Sequence, residues 1–243
     1  MRDRAPALDR GTLATGVAGL LITALGVTAN AVSGGLELPP PDAGGGELVE
    51  FVRAHETGLR WDVALRYVIL FALFVPFVVG LKRHVQGGDE IARHLANIAA
   101  LAAVWLVATG GTANTLEAVV VFDHERLAAE PGVARLLNLL IGSFFLLTLF
   151  PHAAVIGSLS EAGRRTGALP LWLCLLGFAQ VAASLGAVLL LPESGGYVDS
   201  SIAGVLAGVG FIGSGLWYGA AGVVLVVAWV RSPIKEPQSQ PVT

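Results

Sequence analysis

Charge is scarce in this chain. Asp, Glu, Lys and Arg make up 14% of the 243 residues, against 54% hydrophobic. A soluble domain of this length needs far more polar surface to cover its core, so that class is excluded. Cysteine occurs once, at Cys174. A disulfide framework within the chain, or a zinc site built on several thiolates, is therefore ruled out. Lysine is nearly missing too, with 2 Lys beside 13 Arg. Together with abundant Ala, Gly and Val, that balance points to a GC-rich bacterial coding sequence. No P-loop, Gly-x-Ser-x-Gly elbow or dinucleotide fingerprint is present. The period-two alternation of a transmembrane barrel is lacking as well.

What the chain does have is long apolar runs. Six of them, over residues 12–32, 63–81, 91–116, 136–158, 169–191 and 202–230, are long enough to cross about 30 Å of hydrocarbon at 1.5 Å per residue. Each must be helical, because a span in lipid has to satisfy its own backbone. The expected fold is an all-α polytopic bundle of six spans over residues 1–232, with a disordered cytoplasmic tail from 233 to 243. The stretch "SPIKEPQSQPVT", Ser232 and that tail, is rich in proline and polar residues. The longest connection, 33–62, holds "LPPPDAGGG", which cannot be helix. It then continues as "ELVEFVRAHE", in which Leu48, Phe51 and Val52 share one face. That spacing predicts a short amphipathic helix on the membrane surface or capping the bundle.

Basic residues set the orientation. Ten of the fifteen fall on the side that carries both termini: Arg2, Arg4, Arg10, Lys82, Arg83, Arg93, Arg164, Arg165, Arg231 and Lys235. That side is expected to be cytoplasmic. Twelve of the eighteen acids fall on the other side, giving an outer surface that favours cations over nucleic acid. A second reading of the N-terminus is a cleaved signal peptide, since small residues at Ala29 and Ala31 in "TANAVS" would suit a signal peptidase. The first run is longer than an ordinary signal core, so a retained span is the reading adopted.

Polar residues inside apolar runs are the candidates for function. In "GGTANTLEA", Gly110, Asn114 and Glu117 follow i, i+4, i+7 and share a face at the outer end of the third span. A small residue followed by an amide and a carboxylate predicts close approach to another helix. The partners stand in "HETGLRWDVALRY". Asp62 and Arg66 are four apart and can pair within their helix, while Glu117 can take Arg66 or Arg60 across helices. The structural reading is an ion pair pinning two helix ends. The functional reading is an outward-facing polar mouth lined by Asn114, Glu117, Arg66 and Trp61, although Trp61 also suits an interfacial anchor.

The last span carries Gly204, Gly208, Gly215, Gly219 and Gly222 within about 60° of one another, at 100° per residue. That groove predicts helix packing, within the bundle or against a second copy or another membrane protein. Gln180 and Ser184 share a face with Gly177, and Thr28 and Asn30 sit in the outer part of the first span. These groups are expected to hydrogen-bond between helices. Pro76 and Pro151 are expected to kink their spans.

Metal and haem readings find little support. Only His152 of the five histidines lies well inside a span, and a bis-histidine haem needs two facing ligands. "FDHER" and "AHE" could gather Asp123, His124, Glu125, His55 and Glu56 outside, without any fixed ligand spacing. No cofactor or metal is expected.

The stretch "AAVIGSLSEAGRRTGALPLWLCLLGFAQVAASLG" ends a helix in an arginine-bearing turn, Arg164 and Arg165. Leu169, Pro170 and a glycine-leucine-rich helix with Gly177 then follow. In this it resembles a family of bacterial six-helix membrane proteins catalogued as a domain of unknown function. The resemblance implies the six-helix layout and no chemistry. The expected function is a non-enzymatic protein of the bacterial plasma membrane, in contact with lipid. It would associate with membrane partners or hold a small or lipid-like ligand at its outer mouth. A small-solute transporter, with a route along Asn30, Asn114, Glu117 and Gln180, is the first alternative. A membrane enzyme or redox protein is the second.

Overall fold

The computed structural model describes residues 10–34, 38–39, 44–190 and 202–231. The expected tail from 233, residues Arg2, Arg4, Leu191 and Lys235, and residues 40–43 of the proline-glycine stretch lie outside these, while Gly45 and Gly46 of that stretch, expected not to be helix, open α2. The described residues form helices and no strand: α1 (Arg10–Val32), α2 (Gly45–Tyr67), a π-helical segment (Val68–Phe74), α3 (Val75–Val85), α4 (Glu90–Phe122), α5 (His124–Leu127), α6 (Pro131–Leu147), α7 (Leu149–Thr166), α8 (Leu171–Leu190) and α9 (Ile202–Arg231). Six runs among them are long and apolar enough to cross a membrane.

The second run is longer than the sequence suggests. The amphipathic segment expected as a separate surface helix is instead the first part of α2. It continues without interruption through the π segment into α3, making one rod from Gly45 to Val85. The physical reason is local. No proline falls between Leu48 and Val75, so nothing breaks the ladder at Asp62, where the apolar run begins. The apolar face also has protein to meet. Leu48, Val49, Val52, Leu59 and Val63 are buried against Val120, Val121, Leu127, Ala134 and Ile141, so this face packs on α4 and α6.

Both prolines mark irregularities. Pro76 has no N–H for the carbonyl four residues back, and the wider π turn from Val68 to Phe74 lies just ahead of it. Pro151 withholds its donor in the same way, and the fourth run breaks at Thr148, between α6 and α7. At that break the Thr148 hydroxyl donates to the Phe145 carbonyl at 2.6 Å. Elsewhere the ends are capped in ordinary fashion. Asp89 accepts from the Ile91 and Ala92 amides at 2.8 and 3.2 Å. Gly167 closes α7 in the left-handed region (φ 69°), with Pro170 after it.

Small residues bring the helices together. A methyl group on Gly222 of α9 would lie 2.6 Å from the Gly16 carbonyl oxygen of α1, and one on Gly19 would lie 2.7 Å from that of Tyr218. The Thr23 hydroxyl donates to the Gly215 carbonyl at 2.7 Å. The two helices therefore run antiparallel with their backbones nearly in contact. α4 offers Ala92, Ala96, Ala99 and Ala103 to the largest core cluster, where Phe74, Phe77, Trp217 and Tyr218 supply the bulk.

The outward surface is apolar. Leu101, Val104, Leu189 and Ile212 are each more than 60% exposed. Lipid is the solvent in which such a surface is stable.

Contacts also sort the helix ends. At one end Arg165 reaches Asp89 at 3.9 Å, and Gly87 packs on Thr166. Gly80, near the close of α3, packs on Thr15, near the start of α1. At the other end Arg53 of α2 pairs with Glu125 of α5, and Gly45 abuts Pro131.

Candidate functional site

The polar cluster forms where α2 and α4 run side by side toward the Arg53–Glu125 end. Asp62 and Arg66 stand one turn apart on α2, and the guanidinium meets the Asp62 carboxylate with two donors. Nε donates to Oδ1 at 3.1 Å and Nη2 donates to Oδ2. The third edge crosses to α4, where Nη1 donates to Glu117 Oε2 at 2.6 Å. One guanidinium thus bridges two acids. Both are sealed: the Asp62 and Glu117 side chains are 2% and 3% exposed, whereas Arg66 keeps 31%. The Arg66 Cζ sits 5.3 Å from the Phe145 ring centroid on α6. The cation is thereby covered by a third helix through a cation–π contact.

Asn114, one turn before Glu117, is fully buried. Its amide nitrogen donates to the Val63 carbonyl at 3.2 Å, beside Asp62 in sequence, while its carbonyl oxygen has no hydrogen-bond partner. Gly110 completes the stripe. A side-chain carbon there would rest at 3.5 Å from Leu70 and 3.7 Å from Thr148. Tyr67 and Thr115 share a hydrogen bond of 2.9 Å at the margin of the same seam.

Of the residues the sequence singles out for the mouth, Arg66, Glu117 and Asn114 come together at this seam. Trp61 does not join them. It is 60% exposed, as an interfacial anchor would be. Arg60, the other cation considered for Glu117, lies over the Phe122 ring at 5.1 Å and pairs with Glu56.

Two further polar sets lie deeper. His152 Nδ1 and the Tyr218 hydroxyl are 2.8 Å apart, with Phe74 and Phe211 edge-on to the imidazole. Gln180 uses one nitrogen toward Ser184, Ser214 and the Gly210 carbonyl, at 2.9, 2.8 and 3.3 Å. Its carbonyl oxygen and the Ser160 hydroxyl are buried without partners. Sequence reasoning missed Phe145, Tyr218 and Ser214. For Ser214 a signal existed, since it follows Gly210 at i+4 on the helix that faces Gln180. Asn30 is exposed, so the four residues proposed to line a route attach to three separate places.

The histidines toward the Arg53–Glu125 end are held by ordinary partners. His55 Nδ1 lies 2.9 Å from the Phe51 carbonyl and His124 Nδ1 lies 3.0 Å from that of Val121. Arg53 donates twice to Glu125, both at 3.1 Å. That hydrogen bond and the charge behind it hold the Glu125 carboxyl below its usual value. Among the described residues no group of three or more His, Cys, Asp and Glu is placed to hold a metal.

The five α9 glycines that the periodicity groups on one face do different things. Gly219 and Gly222 close on Thr23 and Gly16 of α1, whereas a carbon added at Gly208 or Gly215 would meet nothing within 4 Å. Gly204 is buried. The approach to α8 is made by Gly210 and Gly213, which face Ser184 and Gln180.

No protein-family model matches this chain, and neither does any curated protein or solved structure compared with it.

Proposed function

We propose that this chain is a non-enzymatic protein of a bacterial plasma membrane, with both termini cytoplasmic. Its outer mouth, at the Asp62–Arg66–Glu117 seam, takes a small or lipid-like ligand or a membrane partner. The observation that carries the reading is the placement of Arg66. Its guanidinium joins two sealed acids across two helices and is still about a third exposed, so a group arriving from outside can reach a fixed cation. The basic residues support the orientation, since Lys82, Arg83, Arg93, Arg164 and Arg165 stand near the Asp89–Arg165 end. Gly208 and Gly215, with open space before them, are where a second copy or another membrane helix would approach.

A transport route is the weaker reading. The buried polar groups bond within separate sets: Asn114 to α2, Gln180 to α9, and His152 to Tyr218. A path wants ionisable groups in succession.

Native mass spectrometry of gently extracted protein tests the proposal. Wild-type protein should carry a bound small molecule or lipid that is depleted in Arg66→Gln. Wild-type spectra showing bare protein, or adducts equally abundant in the variant, would remove the mouth as a ligand site.

A further inference from the structure

The seam holds two carboxylates and one guanidinium. With both acids ionised it carries one negative charge in excess, on side chains no more than 3% exposed. A buried charge without a counter-charge is expensive near hydrocarbon. Among the described residues no second cation pairs with either acid, and Arg126 and Arg135 are exposed. Arg60 is engaged by Glu56 and Phe122, Arg53 is engaged by Glu125, and α6 contributes the neutral Phe145 ring.

A second observation is independent of the charge count. The Asn114 carbonyl oxygen is buried in the same α2–α4 seam with no donor in reach. Its amide is oriented by the bond to Val63, and Glu117 stands three residues on along the same face of α4. Arg66 engages Glu117 through Oε2. The seam therefore has one positive charge too few and one buried oxygen acceptor too many, on neighbouring side chains.

From this pairing we infer that Glu117 and Asn114 form a binding site for one monovalent cation, a proton or an alkali ion, beside the Arg66 bridge. A proton bound on the Glu117 carboxyl becomes an O–H donor to the Asn114 carbonyl, satisfying that oxygen and neutralising the excess charge in one step. An alkali ion would take the same two oxygen types as hard ligands. Arg66 and Asp62 stay paired in both cases and form the wall of the site. The inference rests on the outer mouth being a ligand site and names the smallest ligand that belongs there.

The test uses the full chain reconstituted in phosphatidylcholine vesicles. If the cation is a proton, the infrared spectrum at neutral pH contains the carbonyl stretch of a protonated carboxylic acid. That band is lost in Glu117→Gln, shifted in Asn114→Ala and unchanged in Glu125→Gln. If it is an alkali ion, the band is missing, and sodium chloride raises the unfolding midpoint above that in choline chloride of equal ionic strength. Asn114→Ala and Glu117→Gln both abolish that difference. Should Glu117→Gln fail to fold, the Asn114→Ala response decides alone. Wild-type protein with neither the acid band nor a sodium-specific shift overturns the inference. A mass spectrum without a bound molecule would remove the larger ligand proposed above and leave the infrared band standing.

Discussion

Removing Arg66 tests whether the bridge across α2 and α4 is a fixed structural element. Two limits bound the effect of Arg66→Met. An exposed ion pair contributes about 0–1 kcal/mol, while breaking a buried one costs roughly 3–5 kcal/mol, because the partner left behind is a charge without solvent or counter-ion. Arg66 itself is 31% exposed, which alone would favour the lower limit. What remains after the substitution decides, however, and the acids left behind are 2% and 3% exposed. The buried limit therefore applies, and the loss of the Phe145 contact adds about 0.5–1 kcal/mol. Arg66→Met should lower unfolding stability by roughly 3.5–6 kcal/mol, read by thermal or denaturant unfolding in a fixed detergent.

The same reasoning predicts a recovery. Replacing the whole set by apolar side chains of similar size removes the orphaned charges, and buried ion triads so replaced are often neutral or stabilising. Arg66→Met combined with Asp62→Leu and Glu117→Met should regain most of the lost stability. An Arg66→Met variant within about 1 kcal/mol of wild type would place the bridge at the exposed limit. A triple variant no more stable than the single would show that the carboxylates are not what Arg66 neutralises.

Glycines on one helix should respond in opposite directions. Gly222→Ala forces α1 and α9 apart, since the added carbon would lie 2.6 Å from the Gly16 carbonyl oxygen. It should cost about 1–3 kcal/mol in the same unfolding assay. Gly208→Ala meets open space and should be neutral or gain up to about 0.5–1 kcal/mol from helix propensity. Equal effects would undo the assignment of the α1 seam. At the α5 turn, the lowered Glu125 carboxyl means that its pairing with Arg53 is complete above 4.5, the ordinary value, and is lost as pH falls through the folded-state value below it. Arg53→Ala should return the Glu125 titration toward 4.5 in carboxyl-labelled NMR, and an unmoved titration would dissociate the two. Cysteines placed at Arg83 and Arg165 should react with an impermeant reagent from the same side, and one at Arg126 from the other. Labelling of Arg83 and Arg165 from opposite sides would overturn the proposed topology.

How much of this was legible in the sequence depends on the kind of signal each feature leaves. The six apolar runs are visible because lipid selects composition directly, and helices run through all six. The length of the second run is not visible. Residues 47–56 look like a surface helix because their face is only half apolar, and nothing local reveals that α4 and α6 stand beside them to bury it. Pro76 and Pro151 announce irregularity through their missing donors, but not its form, which is a π turn at one and a break at Thr148 at the other.

The same division runs through the candidate site. Charged and amide groups stand out against hydrocarbon, so Asp62, Arg66, Asn114 and Glu117 could be picked out and given partners by spacing alone. Aromatic residues do not stand out in a span. Phe145 covers a guanidinium and Phe150 is 36% exposed, yet both read simply as apolar. The glycines show the limit of periodicity. A 100° turn per residue groups Gly204, Gly208, Gly215, Gly219 and Gly222 on one face, but α1 and α8 approach α9 at different heights and angles. Contact therefore falls to Gly219 and Gly222 on one side, and to Gly210 and Gly213, outside that set, on the other. Periodicity along a helix locates a face. Which residues of that face are pressed on is fixed by neighbours whose position only the packed bundle specifies.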